Sequence, residues 1–477
     1  MAVTSLSPAT TKVATEYNYL NSLSLANGFH KPEQSSEYVQ RFGRQDVTGL
    51  MELLGNKKTV NNPKFSHYEQ ERIHGVAKVG VSAAAQTAAT VTLNIATASS
   101  NYDYTTQSPY AVNSSTTFSN SNISVNDVLE VNGQTLWVKA INGSAITAVP
   151  SNGSLGAIAV NDEIIIKGQA SPEGSSAPDS RNSRMISYSN YVQIMRRSHK
   201  VTGTESATKS WIEVTGKNGE RGYFWYLQGI KDEYHRFLNE REAILLTGED
   251  FQNNLAGLSV TGGTSFGDGN SVTFTKGLIP QISADGNVEL VAAGTAAGIG
   301  GMTLLDLENM TKSLQKNRGS RENMVYCGHD FKIDFDYMVL QNDFLKNGGV
   351  EFASFSGMDQ TVSFSIDAIE FGGFKFAPKV LDIFSDPNFL GASNAPYGSM
   401  GIVIPMDNTV VYNSMNSSSG VTVPSLQLVS MEGRDYMEWV TGKGMNAATS
   451  GDDFFEVHFL SHCGLEVSAL NRFGLFV

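Results

Sequence analysis

Three short stretches carry residue types that could do chemistry. "FSHYEQERIHG" places His67, Glu69 and Glu71 at alternate positions, hence on one face of a strand. An imidazole and two carboxylates so arranged could hold a metal ion. A strand in water with a mixed-charge face carries the same pattern, and that is the plainer reading. "YCGHD" holds Cys327 and His329, and "SHCG" holds His462 and Cys463. Two thiols and two imidazoles from distant segments are a weak candidate for zinc, or for a Cys–His nucleophile pair. Neither pair has C-x2-C or H-x3-H spacing, and a lone buried cysteine is ordinary core material.

"GTAAGIGG" from Gly294 is glycine-rich like a phosphate cradle. No Lys-Ser/Thr follows it and the P-loop spacing is absent, so it reads as a loop. H-E-x-x-H and G-x-S-x-G do not occur. The basic run "RRSH" with Lys200 is short, and suits a solvated strand end or a partner's acidic patch better than nucleic acid. No catalytic, cofactor or metal assignment follows, and the chain reads as a non-enzyme.

The composition narrows the class. At 477 residues the chain exceeds one compact core, so on the order of two or three lobes are expected. A net charge of -13 argues against a general nucleic-acid binder. Charged residues reach only 17% and aromatics 10%, which is a polar, ordered, β-rich composition of the kind found in secreted β-proteins and virion proteins. Two cysteines exclude a disulfide framework. The start, "MAVTSLSPATTKVATEYNYL", has no basic stretch followed by an apolar run, so no signal peptide is expected. No apolar run is long enough to span a membrane. Synthesis and assembly in a cytoplasm are expected.

The elements that must carry these residues fall in a definite order. Residues 1–45 read as a polar, extended arm, followed by a short helix over 46–55 with Asp46 as its N-cap. From about 80 to 180 Ala, Ser, Thr, Asn and Gly dominate. Inside that stretch "SVNDVLEV" and "AVNDEIII" each place Val-Asn-Asp before an apolar strand, so 120–168 reads as a compact inserted β-module. The chain returns through a strand carrying Ile186, Tyr188, Asn190, Val192 and Ile194.

The long stretch 221–249 then shows helical spacing. Tyr223, Leu227, Ile230, Tyr234, Phe237, Leu238, Ile244 and Leu245 fall at the intervals of one buried face. Asp232 with Arg236, and Arg236 with Glu240, are i,i+4 pairs on the wet side. Gly248 offers the stop. Such a rod would be about 40 Å long. A second helix is predicted over 302–317, a strand over "ENMVYCG", a helix over "DFKIDFDYMVLQND", and strands from about 350 to the end. This is an α+β order.

That order resembles the HK-97-type major capsid proteins of tailed bacteriophages. "QRFGRQDVTGLMELLGNKKTVNN" followed by "FSHYEQERIHG" looks like their N-terminal arm and the entry to their extended E-loop. "GYFWYLQGIKDEYHRFLNEREAILL" looks like the spine helix, and "SRENMVYCGHDFKIDFDYMV" with "FFEVHFLSHCGLEVSALNRFGLFV" like the axial A-domain. The chain is most similar to the capsid proteins of crAss-like phages. The resemblance implies an arm over 1–65 and an E-loop with its inserted module over 66–200. It implies a spine helix and P-domain over 201–320, and an A-domain with closing P-domain strands over 321–477. It implies a homo-oligomer of hexameric and pentameric capsomers forming an icosahedral shell. That shell would enclose double-stranded DNA without reading its sequence, and would sit in the virion after assembly in the bacterial host cytoplasm. Portal, scaffold or decoration proteins are the implied partners. The Lys–Asn isopeptide crosslink of some members has no assignable pair here, and the arm is too short for a removable scaffold region. The competing class is a phage decoration protein or an adhesin-like carbohydrate-binding β-protein, which the Asn/Ser/Thr-rich module and four Trp would suit.

Overall fold

A computed structural model describes residues 57–70, 76–94, 97–98, 112–113, 123–142, 145–160, 162–176, 185–210, 212–249, 273–291, 301–341, 367–391, 396–411, 421–442 and 452–477. The predicted arm over 1–45, the helix over 46–55 and residues 294–300 of the glycine-rich loop lie outside them. Two compact units emerge. One takes residues from 198–235 and 439–458, the other from 46–197, 236–438 and 459–477.

The middle section is built of β-strands, which lie in the second unit. A six-stranded sheet combines Glu163–Gln169, Asp127–Val131, Gln134–Asn142 and Ala145–Pro150. Its burial alternates along the strands, with Leu129, Val131, Leu136, Val138, Ile146 and Ile164 all closed to solvent. The two Val-Asn-Asp repeats have one structural role. The Asp127 carboxylate accepts the Ser124 N–H at 2.6 Å, and the Asp162 carboxylate accepts the Ala159 N–H at 2.7 Å. Each is a side-chain-closed turn that launches a strand. The strands so launched pair antiparallel, with Leu129 opposite Ile166 and Val131 opposite Ile164.

The module is larger than 120–168. Its two outermost strands are Val76–Lys78 and Val91–Asn94, which pair with Glu163–Gln169 and Ala145–Pro150. Ala77, Val79, Val91 and Leu93 belong to its core. They were hidden in an Ala/Thr-rich stretch because each strand is short, and only partners 50 or more residues away make it a strand. The module is inserted in a two-stranded ribbon. Lys64–Gln70 pairs with Met185–Tyr191 from Lys64 opposite Tyr191 to Gln70 opposite Met185.

A second six-stranded sheet of the same unit runs in the order Asn287–Glu289, Gly474–Phe476, Gly401–Pro405, Glu322–Cys327, Phe374–Val380 and Ile369–Phe371. Its central strand "GIVIP" is buried at every position, as a strand covered on both faces must be. The helices Leu304–Lys316 and His329–Gln341 supply Leu307, Met310, Leu314, Phe331, Phe335 and Met338 to the shared core. The first opens on a capping box. Thr303 Oγ1 accepts the Asp306 N–H at 3.4 Å, and the Asp306 carboxylate accepts the Thr303 N–H at 2.7 Å.

A five-stranded sheet runs Lys57–Val60, Leu426–Met431, Phe454–Val467, Gln193–Thr202, with Met437–Gly442 also paired to Phe454–Val467. Its first pair is parallel, with Lys57 opposite Leu428 and Val60 opposite Met431.

Candidate functional site

The long helix spans Trp225–Thr247, 23 residues or roughly 34 Å. It starts later than the periodicity suggests because Arg221–Gly222 is captured as a strand by Val214–Thr215. It stops at Gly248, whose N–H donates to the Ile244 carbonyl at 2.8 Å. A Cβ at Gly248 would lie 2.7 Å from the Thr275 carbonyl oxygen, so glycine is required by close approach.

Of the apolar positions read from the sequence, Phe237 and Leu245 are buried. Leu227, Ile230, Tyr234, Leu238 and Ile244 are half-buried, and Tyr223 precedes the helix and is 48% exposed. The C-terminal half is covered nearly all round, with Arg241, Glu242, Ala243, Leu245 and Leu246 all inside. Phe237 stacks on Phe459 with ring centroids 6.0 Å apart and meets Tyr436 at 6.4 Å. In the other unit, Lys217 Nζ sits 3.9 Å from the centre of the Tyr234 ring. Glu240 is engaged by Arg197, whose Nε donates to it at 2.8 Å. Asp232 accepts a bond from Gln228 at 2.6 Å. Gln228 and Asp232 are i,i+4 neighbours, whereas Arg197 lies 43 residues from Glu240 and helical spacing does not reveal it.

His67 and Glu69 do meet: His67 Nε2 lies 3.1 Å from Glu69 Oε1, and the imidazole stacks on Tyr188. Glu71 is outside the described residues. The same Glu69 oxygen accepts the Ala469 N–H at 2.6 Å, so a backbone amide and the imidazole share it. Beside them a recess of about 40 Å³ is lined by His67, Asn190, Lys276, Asp285 and Glu466, room for about one water molecule. Asn190 is the keystone of its wall. Its Nδ2 donates to the carbonyls of Lys276 at 2.9 Å and Leu465 at 2.8 Å, and its Oδ1 accepts the Lys276 and Tyr191 amides.

Burial pushes the Asp285 carboxyl above its ordinary value of 3.8. The Lys276 charge opposes that shift and the Glu69 charge adds to it. A raised value in the folded state favours the protonated acid. The stability it confers is therefore complete below 3.8 and lost as pH rises through the folded-state value. Asp285→Asn should accordingly melt higher than the parent at about pH 7, with the difference closing at about pH 3. Thermal melts across that range check it; a lower melting temperature at neutral pH would contradict it.

The Cys and His candidates stay apart. Cys327 lies in the second six-stranded sheet and Cys463 in the five-stranded one. Burial pushes the Cys327 thiol up to about 12, and its Sγ contacts the Lys379 carbonyl at 3.7 Å. A thiol so held stays protonated at neutral pH and is a poor nucleophile. Ser461 Oγ donates to Cys463 Sγ at 3.4 Å. His462 is buried, and burial followed by the Arg434 charge lowers its basicity. His329 starts a helix, its N–H donating to Ser385 Oγ at 3.3 Å. Among the described residues no three His, Cys, Asp or Glu side chains cluster to hold a metal ion, and no helix is long and apolar enough to cross a membrane.

Sequence patterns gave no sign of a carboxylate pair that grips the edge strand Lys57–Val60. Asp435 accepts Lys57 Nζ at 2.7 Å, Arg241 Nη2 at 2.8 Å and Ser461 Oγ at 3.2 Å. Glu466 takes Lys58 Nζ on both oxygens, at 2.8 and 2.7 Å. The partners are separated by 378 and 408 residues, so no local pattern could have shown them.

Among the described residues the geometry shows packed cores, a two-stranded ribbon and ion pairs. No curated protein matches the chain. Among solved structures it is similar to the capsid of the Cyanophage P-SCSP1u, with 9% identity, 96% of this chain and 98% of that chain covered, and a TM-score of 0.39. It is similar also to a chain from Microbacterium phage Oxtober96, with 6% identity, coverage of 94% and 96%, and a TM-score of 0.39. A virus-like particle from Pyrococcus furiosus matches at 8% identity, over 63% of this chain and 82% of that one, with a TM-score of 0.28. The family model described as SU10 major capsid protein matches residues 26–381, about three-quarters of the sequence. The chain belongs to the SU10 major capsid protein family, structural proteins of the bacteriophage capsid.

Proposed function

We propose that this protein is an HK-97-type shell subunit that self-assembles into hexamers and pentamers around double-stranded phage DNA. The family match over residues 26–381 carries the reading. In this reading the ribbon Lys64–Gln70 with Met185–Tyr191 and its inserted module form the E-loop. The helix Trp225–Thr247, which contributes residues to both units, is the spine. The sheet around Glu322–Cys327 is the core of the A-domain. The arm is 1–65, and the site of assembly is the bacterial cytoplasm. Within the family we read the protein as most similar to the capsid proteins of crAss-like phages, on the order of its elements along the chain.

A shell derives its energy from many subunit contacts of large area, and heterologous contacts close into rings by rotation. Segments with little apolar periodicity order only in such contacts, so their binding free energy appears in the assembly and not in the monomer. Removing residues 1–45 should therefore leave the monomer's melting temperature nearly unchanged and sharply reduce the fast-sedimenting fraction in a sucrose gradient. Full-length protein that never sediments as particles, under conditions where it is folded, would count against the capsid reading.

A further inference from the structure

The ladder between Leu426–Met431 and the long strand Phe454–Val467 runs from Leu426 opposite Val467 to Ser430 opposite Cys463. His462 is the first residue of the long strand beyond it. At that point the chain leaves the sheet in a loop over 432–436, before Met437–Gly442 takes up the pairing again. Gly433 and Tyr436 of this loop sit in the left-handed region, with φ of 68° and 53°. Glycine takes that region freely, but a bulky tyrosine does so only where its surroundings hold it.

Three contacts hold the loop. The Tyr436 ring packs on Phe237. The Asp435 side chain, 10% exposed, accepts Arg241 of the long helix at 2.8 Å, with Lys57 and Ser461 beside it. The His462 N–H donates to the Arg434 carbonyl at 3.1 Å. The His462 side chain is itself an unusual neighbour for such a loop. The residue is 5% exposed, and its Nδ1 has no hydrogen-bond partner among the described residues. A proton placed there would be a buried charge without an acceptor.

The charges around the ring oppose that proton. The Arg434 guanidinium, on the loop itself, repels it. The Val192 carbonyl favours it, but already accepts Thr273 Oγ1 at 2.8 Å. Along the strand, Glu466 is taken by Lys58 at 2.7 Å, and His458 is bonded to Thr441 at 2.9 Å. Asp435 is engaged by Arg241, Lys57 and Ser461.

We propose that His462 is an acid-operated latch on the loop 432–436: a proton on its ring releases the loop, and with it the Asp435–Arg241 pair that fastens the long helix to the sheet. Release carries the imidazolium and Arg434 into water and lets Tyr436 leave the left-handed region. The sign follows from the environment. Burial first, then the Arg434 charge, lowers His462 from its ordinary 6.5. The stability this confers is complete above 6.5 and lost as pH falls through the folded-state value. The inference concerns the folded chain and is independent of the capsid reading.

Hydrogen exchange on the full-length protein tests it, with rates corrected for the intrinsic effect of pH. Between about pH 7.5 and about pH 5, opening of peptides covering 432–438 and 237–246 should rise, by up to about tenfold for each pH unit below the ordinary histidine value. Peptides from Leu304–Lys316, in another core, should not change. His462→Gln keeps a polar side chain that does not titrate, so its loop should open equally at both ends of the range. Arg434→Gln removes the repelling charge and should shrink the rise. Opening of the parent's loop that ignores pH overturns the latch, as does a His462→Gln chain that responds as the parent does. If His462→Gln yields no folded protein, Arg434→Gln decides: a rise equal to the parent's overturns the proposal, and a smaller one supports it.

Discussion

Phe237→Asp should abolish recovery of soluble, folded protein. Phe237 is 1% exposed and packs between the rings of Phe459 and Tyr436. Truncation of a buried phenylalanine alone costs about 3–5 kcal/mol through lost contacts and a residual cavity. A carboxylate in its place adds the cost of an unpaired buried charge, several kcal/mol more or a carboxyl forced to stay protonated. The sum is on the order of a whole domain's stability, about 5–15 kcal/mol. Ile230→Asp is the internal comparison. Ile230 is half-buried, so its carboxylate can reach water and the loss should be smaller. Soluble yield, circular dichroism and thermal melts of the two variants give the ranking. Equal, parent-like melting of Phe237→Asp would show that the helix is not packed as described.

The module gives the second large effect, and here the boundaries decide the sign. Deleting 120–168 would remove the partners of Val76–Lys78 and Val91–Asn94 and leave Val79, Val91 and Leu93, each at most 1% exposed in the intact chain, open to water. Aggregation is the expected result. Replacing 71–184 with Asn-Gly should instead leave a folded chain. Gln70 and Met185 are directly opposed in the ribbon, so a two-residue turn closes the hairpin. The excised piece carries a core of its own, from Ala77 to Ile164, so a fragment over 76–176 should fold alone. Soluble yield and melting of the three chains test this. A soluble, cooperative deletion of 120–168 beside an aggregated 71–184 replacement would reverse the boundaries.

What could be read from the sequence followed local pattern. The helices Leu304–Lys316 and His329–Gln341, the strand Glu322–Cys327 and the paired Val-Asn-Asp turns were visible because their periodicity or turn chemistry is complete within a few residues. The long helix was visible for the same reason, but its buried face was not fully so. Apolar type marks Tyr223, yet Tyr223 is open, while Gln228, Glu233, Arg241 and Glu242 are buried. Burial there is decided by what packs on the helix, and Arg241 is admitted because Asp435, 194 residues away, takes its charge. Lys57–Val60 shows the same limit. "KKTV" has no strand period, and only Leu426–Met431 and two distant carboxylates make it one. Cys327 and Cys463 lie in separate sheets, and among the described residues no three His, Cys, Asp or Glu side chains cluster around either.

Electron cryomicroscopy of the purified full-length protein, expressed alone and with its own phage's assembly partners, tests the central claim most directly. The capsid reading predicts closed icosahedral shells whose surface resolves into rings of five and six copies, with the long helix and the module-bearing ribbon repeated in every copy. Fibres, or folded monomers that stay dispersed under every assembly condition, would contradict it.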